Sequence, residues 1–297
     1  MIRLGVIGCG TWGKNYVRAA AEAGNCAVTH VAGSGAVDGP IERIPSRDWR
    51  RLLDAQLDAF VVAAPPSVHP AICTELLDRG RAVLVEKPMA TDERALGIAD
   101  AALASGAPLL VAHQHLFAIA YEELRELARD SKNVTVVTEG GGLGPRREYS
   151  ALWDYGPHDV AMFLGLTQSH RASGVGAARR GDSFRIGLQS GDRVGLVRVW
   201  NDALPKTRLL TALSGAESIA YDDLDPTGAR LRLNGQVLPL PHERPLTRMV
   251  RVFAEMCAGK SQDWRFDPFL GVEVTRLLAE AEATITTAND AVRPSCS

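Results

Sequence analysis

Short apolar runs alternate with amphipathic segments along the first third of the chain. The runs at 59–64 and 81–85 are apolar almost throughout, as is typical of parallel strands covered on both faces. Gly24, Gly80 and Gly106 follow the intervening segments, at the position where a helix commonly ends. Strands are expected at 2–7, 27–32, 59–64, 81–85 and 109–112, and helices at 14–23, 46–53, 67–79 and 92–105. This alternation predicts a doubly wound parallel sheet.

The pattern changes at about residue 119. A helix is expected at 121–129, and an amphipathic helix at 272–288 closes the chain. Between these two helices, runs rich in β-branched and aromatic residues follow one another. The strands are expected at 134–138, 184–189, 193–200, 207–213, 217–221 and 230–233. We therefore expect one domain at 1–118 and a second, at 119–297, of the α+β class with a mainly antiparallel sheet.

Composition narrows the classes of partner. The net charge is −2 over 297 residues, and no basic cluster is interleaved with aromatic residues, so nucleic acid is not an expected partner. No apolar run approaches the length of about 18 residues that a membrane span needs, and neither a membrane span nor a signal peptide is expected. The small net charge instead favours a small-molecule partner. The five cysteines lack metal-ligand or C-x-x-C spacing and are interpreted as reduced thiols, which favours a cytoplasmic protein.

A glycine-rich turn joins the first strand to the first helix. Gly8, Gly10 and Gly13 form G-x-G-x-x-G, with Thr11 and Trp12 between the last two glycines. The first glycine permits a tight turn, the second lets backbone approach a pyrophosphate, and the third allows close packing of helix on strand. The partly positive N-terminus of the helix favours phosphate. The turn predicts binding of a dinucleotide.

Unusual polar segments follow other predicted strands. Ligands bind at the carboxyl ends of parallel strands, so 65–69 (Pro-Pro-Ser-Val-His), 86–88 (Glu-Lys-Pro) and 113–115 (His-Gln-His) are candidate site segments. An ammonium such as that of Lys87 can stabilise an alkoxide or polarise a carbonyl. His113 and His115 are interpreted as structural histidines.

A second candidate pair lies beyond the parallel sheet. Asp154 and His158 are four residues apart, a spacing that places both on one face if the segment is helical. Histidine is the side chain that commonly serves as a general base near neutral pH, and Asp154 could orient His158 in that role. The alternative is that Asp154 caps a helix that begins at Pro157.

In combination, these motifs resemble the signature of the Gfo/Idh/MocA oxidoreductases over nearly the whole chain. The matches are the glycine turn, the Pro-Pro-x-x-His loop, Glu-Lys-Pro and D-x-x-x-H. They comprise Gly8, Gly10, Gly13, Pro65, Pro66, His69, Glu86, Lys87, Pro88, Asp154 and His158. The resemblance implies NAD or NADP as cofactor and hydride transfer at a carbinol carbon of a sugar, inositol or related compound. It also implies that the lysine and the His/Asp pair handle the proton at the substrate hydroxyl.

Site roles follow from this resemblance and from the chemistry of the groups. His158 is the preferred acid/base, oriented by Asp154, with Lys87 as the electrostatic partner; exchanged roles remain open. The expected cofactor contacts are Gly8, Gly10, Thr11, Trp12, Gly13, Ser34, Pro65, Pro66, His69, Glu86, Lys87 and Pro88. The Lys87-Pro88 bond is a candidate cis peptide. No metal is expected, because the histidines lack a recognised ligand spacing and this chemistry needs none.

Two features depart from the family pattern. NAD-preferring sites usually carry an acid after the second strand, where this chain has Gly-Ser-Gly at 33–35. Ser34 could donate to a 2′-phosphate, with Arg43 or Arg47 nearby, which favours NADP over NAD. The arginine that family members often place after the strand at 109–112 is missing, and Arg146, Arg147 and Tyr149 are candidate polar contacts for substrate.

The complete interpretation is an α/β protein with an N-terminal doubly wound Rossmann domain and a C-terminal α+β domain. The predicted activity is NAD(P)-dependent hydride transfer at a secondary alcohol or ketone of a sugar, cyclitol or nucleotide-linked sugar. We expect a homo-oligomer, a dimer or tetramer formed through the second-domain sheet. A non-catalytic dinucleotide-binding sensor or assembly protein is the alternative, although a sensor needs only the glycine turn. A methyltransferase shares a glycine-rich turn but leaves Lys87 unexplained.

Overall fold

The computed structural model describes residues 1–37, 39–144, 149–167, 169–260 and 263–291. The chain forms two compact units. The first comprises Met1–Phe117 with Glu243–Val272, and the second comprises Ala118–His242 with Glu273–Ser297. The chain therefore leaves the first unit and later returns to it.

The first unit contains a six-stranded, all-parallel sheet. Its strands are β1 (Ile2–Ile7), β2 (Cys26–Ala32), β3 (Glu42–Ile44), β4 (Ala59–Val62), β5 (Ala82–Val85) and β6 (Leu109–Val111). They lie in the order β3-β2-β1-β4-β5-β6. The order reverses at β1, as in a doubly wound fold, and the predicted fold class of the first domain is confirmed. β3 was not predicted.

Helices of the first unit pack on both faces of this sheet. They are α1 (Thr11–Ala23), α2 (His69–Asp78) and α3 (Arg94–Ser105), with 3-10 turns at Ser46–Asp54, Pro66–Val68 and Gln114–Phe117. All four residues of β4 and all four of β5 are buried. These apolar strands were recognisable in the sequence because both faces of a central parallel strand are covered.

A later segment belongs to the first unit. Helix α7 (Pro245–Cys257) packs against α1, where Glu22 accepts hydrogen bonds from Arg244 Nη1 at 2.7 Å and Thr247 Oγ1 at 2.6 Å. Phe253 is fully buried on the apolar face of α7. The sequence interpretation assigned all of 119–297 to the second domain. The structure differs for 243–272, because α7 buries its apolar face in the first unit.

The second unit contains an eight-stranded sheet. Its strands are β7 (Thr135–Gly141), β8 (Ser173–Arg180), β9 (Ser183–Ser190), β10 (Arg193–Trp200), β11 (Thr207–Ser214), β12 (Glu217–Asp222), β13 (Leu231–Leu233) and β14 (Gln236–Val237). Their order is β14-β13-β12-β11-β7-β10-β9-β8. Among the described strands of this sheet, only β7 and β10 pair in parallel. This confirms the mainly antiparallel sheet; β8 and β14 were not predicted.

Helices cover one face of the second sheet. They are α4 (Ile119–Leu127), α5 (Ala151–Asp154) and α6 (Gly156–Gly165). The later part of α8 (Pro268–Ala291) packs against α6, since a Cβ on Gly156 would lie 2.9 Å from Leu278 Cδ2. A Cβ added to Gly195 of β10 would lie 2.7 Å from the ring of Phe163, so α6 packs directly on this strand. Val194 and Leu196, on either side of Gly195, are exposed on the other face, which we call the outer face. No helix among the described ranges is long and apolar enough to cross a bilayer.

Candidate active site

The glycine turn between β1 and α1 has the geometry that a dinucleotide requires. Gly8 has φ +95°, and a Cβ there would lie 2.4 Å from the carbonyl oxygen of Ala63. A Cβ on Gly13 would lie 2.1 Å from the carbonyl oxygen of Gly8, so a side chain at either position would force the turn apart. Gly10 differs, because nothing lies within 4 Å of its Cβ position. That open position leaves room for a diphosphate against the backbone and the N-terminus of α1.

A cleft of about 800 Å³ adjoins this turn within the first unit. Its lining residues include Gly10, Thr11, Trp12, Trp49 and Pro65. The volume falls within the range of about 300–1,000 Å³ usual for cofactor and small-ligand sites. The residues present therefore fit one part of a dinucleotide, and Pro66 begins the 3-10 turn beside it.

A second cavity, of about 540 Å³, lies at the carboxyl ends of β2 and β3. Ser34, Arg43 and Arg47 line it, and no carboxylate is among the described lining residues. Arg43 Nη2 donates to the carbonyl oxygen of Ser34 at 3.2 Å, which joins β3 to the loop after β2. A cavity lined by two arginines favours a phosphate group.

Lys14 is a further cation near this cavity that the sequence analysis missed. A Cβ on Gly35 would lie 3.4 Å from Lys14 Cε. Its position directly after Gly13, in the first turn of α1, was the available signal. Burial raises the pKa of the Cys9 thiol, although Lys14 and Arg43 oppose the rise. Cys9 is therefore a small buried filler of the turn rather than a reactive thiolate.

The Glu-Lys-Pro turn follows β5 and is fixed by a buried carboxylate. Glu86 Oε1 accepts from Tyr16 Oη at 2.7 Å, and Glu86 Oε2 accepts from the backbone N–H of Lys87 at 3.0 Å. Burial, followed by the charge of Glu86, raises the pKa of Tyr16 well above its ordinary value, so Tyr16 stays a donor. The Lys87-Pro88 bond is cis. Glu86 thus orients the backbone that carries Lys87.

His69 holds two site loops together. Its Nδ1 lies 3.0 Å from the carbonyl oxygen of Pro88, and its Nε2 lies 2.8 Å from that of Ala64. The imidazole is fully buried, and burial lowers its pKa. Direct contact with the cofactor was expected for His69. The structure shows that His69 joins the loop after β4 to the loop that carries Lys87, and its contact with the cofactor stays a prediction.

His113 occupies the equivalent position on the neighbouring strand. Val85 pairs with Val111, and Ala112 N donates to Val85 O at 2.8 Å, so Lys87 and His113 follow adjacent strands in register. Burial and then the charge of Lys87 lower the pKa of His113 to about 3. His113 is therefore neutral at physiological pH and adds no second positive charge beside Lys87.

The low pKa of His113 makes stability depend on pH. The folded state keeps His113 neutral down to about pH 3, whereas the unfolded chain takes up a proton near the ordinary pKa of 6.5. The unfolded state therefore binds the extra proton between these values, and the free energy of unfolding falls as pH falls. Between pH 6.5 and pH 5 we expect His113 to account for about 2 kcal/mol of this loss.

Urea unfolding of the wild type and of His113→Gln at pH 7 and pH 5 measures this contribution. The other titrating groups are common to both proteins, so they cancel in the comparison. We expect a shallower pH dependence in His113→Gln. Identical pH dependence in the two proteins would contradict the prediction.

The candidate pair of the second unit lies where two short helices meet. Asp154 is the last residue of α5, and His158 lies in the first turn of α6 and is buried. The helix is interrupted at Tyr155, so the two residues are not on one continuous helix. Tyr155, not Asp154, precedes α6, and no side chain caps that helix among the described residues. Asp182 Oδ1 accepts from Ala151 N at 3.0 Å at the start of α5.

A buried ion pair next to His158 was missed by the sequence analysis. Asp159 Oδ2 accepts from Arg208 Nη1 at 2.5 Å, and the Asp159 carboxylate is fully buried. A Cβ on Gly140 would lie 2.4 Å from this carboxylate oxygen, so only glycine leaves space for the pair. The Arg208 guanidinium also lies 5.5 Å from the centre of the Tyr155 ring. The pair joins α6 to β11 and fixes the helix that carries His158.

Some expected substrate contacts have no described position. Arg146 and Arg147 lie outside the described residues, whereas Tyr149 is described and half-buried. The sequence contained no signal for Arg208 as the partner of Asp159, because the two residues are far apart in the chain.

The comparison with protein families agrees with this geometry. Residues 2–113 match the model of the Gfo/Idh/MocA family, described as an oxidoreductase family with an NAD-binding Rossmann fold. A candidate oxidoreductase from Magnetospirillum magnetotacticum MS-1 has a solved structure that is 31% identical, with a TM-score of 0.81. That match covers 93% of this chain and 98% of the other. This chain belongs to the Gfo/Idh/MocA family. The predicted family is confirmed, and a nicotinamide dinucleotide is the cofactor class that fits its first unit.

Curated relatives resemble part of this Gfo/Idh/MocA chain. Inositol 2-dehydrogenase 2 of Saccharopolyspora erythraea is 31% identical over 175 residues, which cover 54% of this chain and 52% of that protein. The chain thus spans about half the length of this curated relative in the match. A UDP-N-acetylglucosamine 3-dehydrogenase from Acidithiobacillus ferrooxidans has a TM-score of 0.83 at 19% identity, covering 96% of this chain and 98% of that one. At that identity the likeness concerns the fold alone.

Proposed function

We propose that this protein is an NAD(P)-dependent oxidoreductase. It transfers a hydride to or from a secondary alcohol or ketone carbon of a sugar, cyclitol or nucleotide-linked sugar. The observation that supports the proposal is the set of buried side chains that fix the turn around Lys87. Tyr16, Glu86 and His69 are buried and all act on the turn that presents this lysine. A dinucleotide sensor needs the glycine turn but does not need the Glu-Lys-Pro turn that presents Lys87.

Different residues of the chain have different roles in the proposed reaction. When bound, the nicotinamide supplies hydride chemistry, and the open position at Gly10 leaves the diphosphate space against α1. The Lys87 ammonium stabilises negative charge on the substrate oxygen. His158 takes or returns the proton of the substrate hydroxyl, with Asp154 orienting it, and the exchanged assignment of Lys87 and His158 is the second possibility.

A substrate panel tests the proposed activity. Sugars, cyclitols and nucleotide-linked sugars are each incubated with NAD and with NADP, and the absorbance of the reduced nicotinamide is followed. We expect turnover with at least one class. Cofactor binding without turnover on any class would favour the non-catalytic alternative and contradict the proposal.

We also propose that NADP is preferred over NAD. The cavity after β2 is lined by Arg43 and Arg47 and has Lys14 near its loop, whereas an NAD site usually carries an acid there. A charged hydrogen bond is worth about 1.5–3 kcal/mol, so we expect Arg43→Ala to raise the KM for NADP by about ten- to a hundredfold. The KM for NAD should change little. Steady-state kinetics with both cofactors measures the ratio.

Two further variants sharpen the cofactor test. Ser34→Asp places a carboxylate beside the proposed 2′-phosphate and should shift preference towards NAD. Arg18→Ala removes an exposed arginine of α1 outside this cavity and serves as the control. An Arg43→Ala variant that keeps the wild-type ratio of KM values would count against the proposed NADP site.

We infer that the protein is a homo-oligomer, a dimer or tetramer, formed through the outer face of the second sheet. Val175, Val194, Leu196 and Leu213 are exposed on strands of this sheet, and Leu196 keeps 39% of its surface. Apolar side chains spread across one sheet face are typical of association sites. We expect Leu196→Glu to lower the mass measured by sedimentation. Leu103→Glu, at an exposed leucine of α3, is the matched control, and an unchanged mass in Leu196→Glu would refute this interface.

We propose that the protein is cytoplasmic. Cys9, Cys26, Cys73 and Cys257 are free thiols, as is usual for proteins in a reducing compartment.

A further inference from the structure

A large cavity lies at one end of the outer face of the second sheet. Its volume is about 1,150 Å³. The turn between β8 and β9 and the loop at 201–206 form its walls, and the ends of β7, β10 and β11 line it. Its charged lining residues are Arg179, Arg180, Arg185, Arg198, Glu139 and Asp202. The roles proposed above use none of these residues.

The cavity has an excess of positive charge. Glu139 Oε1 already accepts from Arg198 Nη1 at 2.6 Å. Asp202 accepts from the backbone N–H of Asp182 at 2.9 Å and from Ser183 Oγ at 2.8 Å. Both carboxylates are thus engaged by donors of the protein. The cavity holds two guanidinium groups more than carboxylates, and it therefore favours an anion.

Two of the arginines are available to bind such an anion. Arg180 and Arg185 are exposed, and the structure gives neither of them a carboxylate within 4.0 Å among the residues it describes. They lie on neighbouring strands, because Arg180 pairs with Ser183 at the turn and Arg185 pairs with Ala178. Guanidinium groups present paired N–H donors that match phosphate oxygens.

An aromatic surface lies beside these arginines. A Cβ on Gly141 would lie 2.6 Å from Cδ2 of Trp200, so the indole covers this glycine on β7. Trp200 Nε1 donates to the carbonyl oxygen of Ala203 at 3.2 Å, which fixes the ring against its own loop. Leu204 and Pro205 extend the apolar wall. A flat aromatic surface next to arginines suits a nucleobase that carries phosphates.

We propose that this cavity binds a nucleoside diphosphate group, with the base against Trp200 and the diphosphate on Arg180 and Arg185. The group has two sources: a free nucleoside diphosphate, or the nucleotide part of a nucleotide-linked sugar. Only the second source rests on the proposed function. The turn beside the cavity also holds α5, since Asp182 Oδ1 accepts from Ala151 N. The cavity is therefore connected to the helix that carries Asp154.

Isothermal titration of the full-length protein with UDP and with ADP, each in the presence of saturating NADP so that the dinucleotide site of the first unit is filled, tests the site. We expect both to bind, and the double variant Arg180→Ala/Arg185→Ala to weaken binding by about tenfold or more, because two charge-assisted contacts are lost. Trp200→Leu should weaken binding of UDP more than binding of inorganic phosphate. Arg129→Ala, at an exposed arginine of the same unit outside the cavity, is the control.

Kinetics then distinguish the two sources. If Arg180→Ala/Arg185→Ala has a raised KM for a nucleotide-linked sugar and an unchanged KM for the dinucleotide, the substrate is the source of the nucleotide group. Weakened UDP binding without that KM change identifies a free nucleoside diphosphate. The proposal would be overturned if UDP and ADP failed to bind the wild type or bound the double variant equally well. It would also be overturned if the double variant changed the sedimentation mass and the wild type bound no nucleotide. Because titration needs no turnover, its result is independent of the proposed hydride transfer.

Discussion

Replacing Lys87 by alanine is expected to lower turnover by about 10²- to 10⁴-fold while dinucleotide affinity stays within about threefold of wild type. The ammonium is proposed to act on charge that develops at the substrate oxygen, so its loss affects the reacting state more than the bound cofactor. The turn itself should survive, since Glu86 binds the backbone N–H of residue 87 and His69 contacts the carbonyl oxygen of Pro88. Stopped-assay turnover and dinucleotide titration measure the two quantities.

His158→Ala should produce a loss of the same order, and pH profiles assign the roles. The general base gives the acid limb of kcat/KM, so this limb should disappear in His158→Ala if His158 is the base. If Lys87 is the base instead, the acid limb should persist in His158→Ala and disappear in Lys87→Ala. Asp154→Asn should reduce turnover less than His158→Ala, because orientation is only part of the effect.

Controls make this result specific to the two groups. Lys260→Ala and His242→Gln remove the same kinds of side chain from exposed positions and should leave turnover unchanged. Wild-type rates in both Lys87→Ala and His158→Ala would reject the proposed chemistry. A parallel loss of turnover and dinucleotide affinity in Lys87→Ala would instead assign Lys87 to cofactor binding.

The second large effect is expected at the buried ion pair of Asp159 and Arg208. Removing one partner leaves an uncompensated charge in the interior, which typically costs about 3–5 kcal/mol. We therefore expect Arg208→Met to lower the free energy of unfolding by that amount. Burial already raises the pKa of Asp159, and the loss of Arg208, which lowers it, should raise it further. Denaturant unfolding followed by circular dichroism measures the change.

A double variant separates the charge from the packing. Asp159→Leu/Arg208→Met removes both charges and should be more stable than Arg208→Met alone, because no buried charge remains without its partner. The exposed pair of Glu126 and Arg129 is the matched control, and Arg129→Ala should cost less than about 1 kcal/mol. A cost below about 1 kcal/mol for Arg208→Met would show that Asp159 is stabilised by other groups.

The features of this protein that could be predicted from sequence are those that depend on residues close together in the chain. β4 and β5 were recognisable because a central parallel strand is apolar on both faces. The glycine turn was recognisable because its spacing has a steric cause at Gly8 and Gly13, which the structure shows as backbone contacts. The family followed from the order of such local motifs along the chain.

Other features were decided only by the tertiary structure. Periodicity around α7 could not indicate that this helix returns to α1, since the partner lies more than two hundred residues earlier. His69 is within a family motif, yet only the fold brings Ala64 O and Pro88 O to its two ring nitrogens. Nor did any local pattern indicate that Asp159 would lie in the core beside Arg208. Sequence alone therefore determined the apolar central strands, the cofactor turn and the candidate chemical groups, whereas the short or exposed strands β3, β8 and β14 were not predicted. The buried polar partners that fix those groups arise from long-range packing, because a buried charge or imidazole must find its partner wherever the fold supplies one.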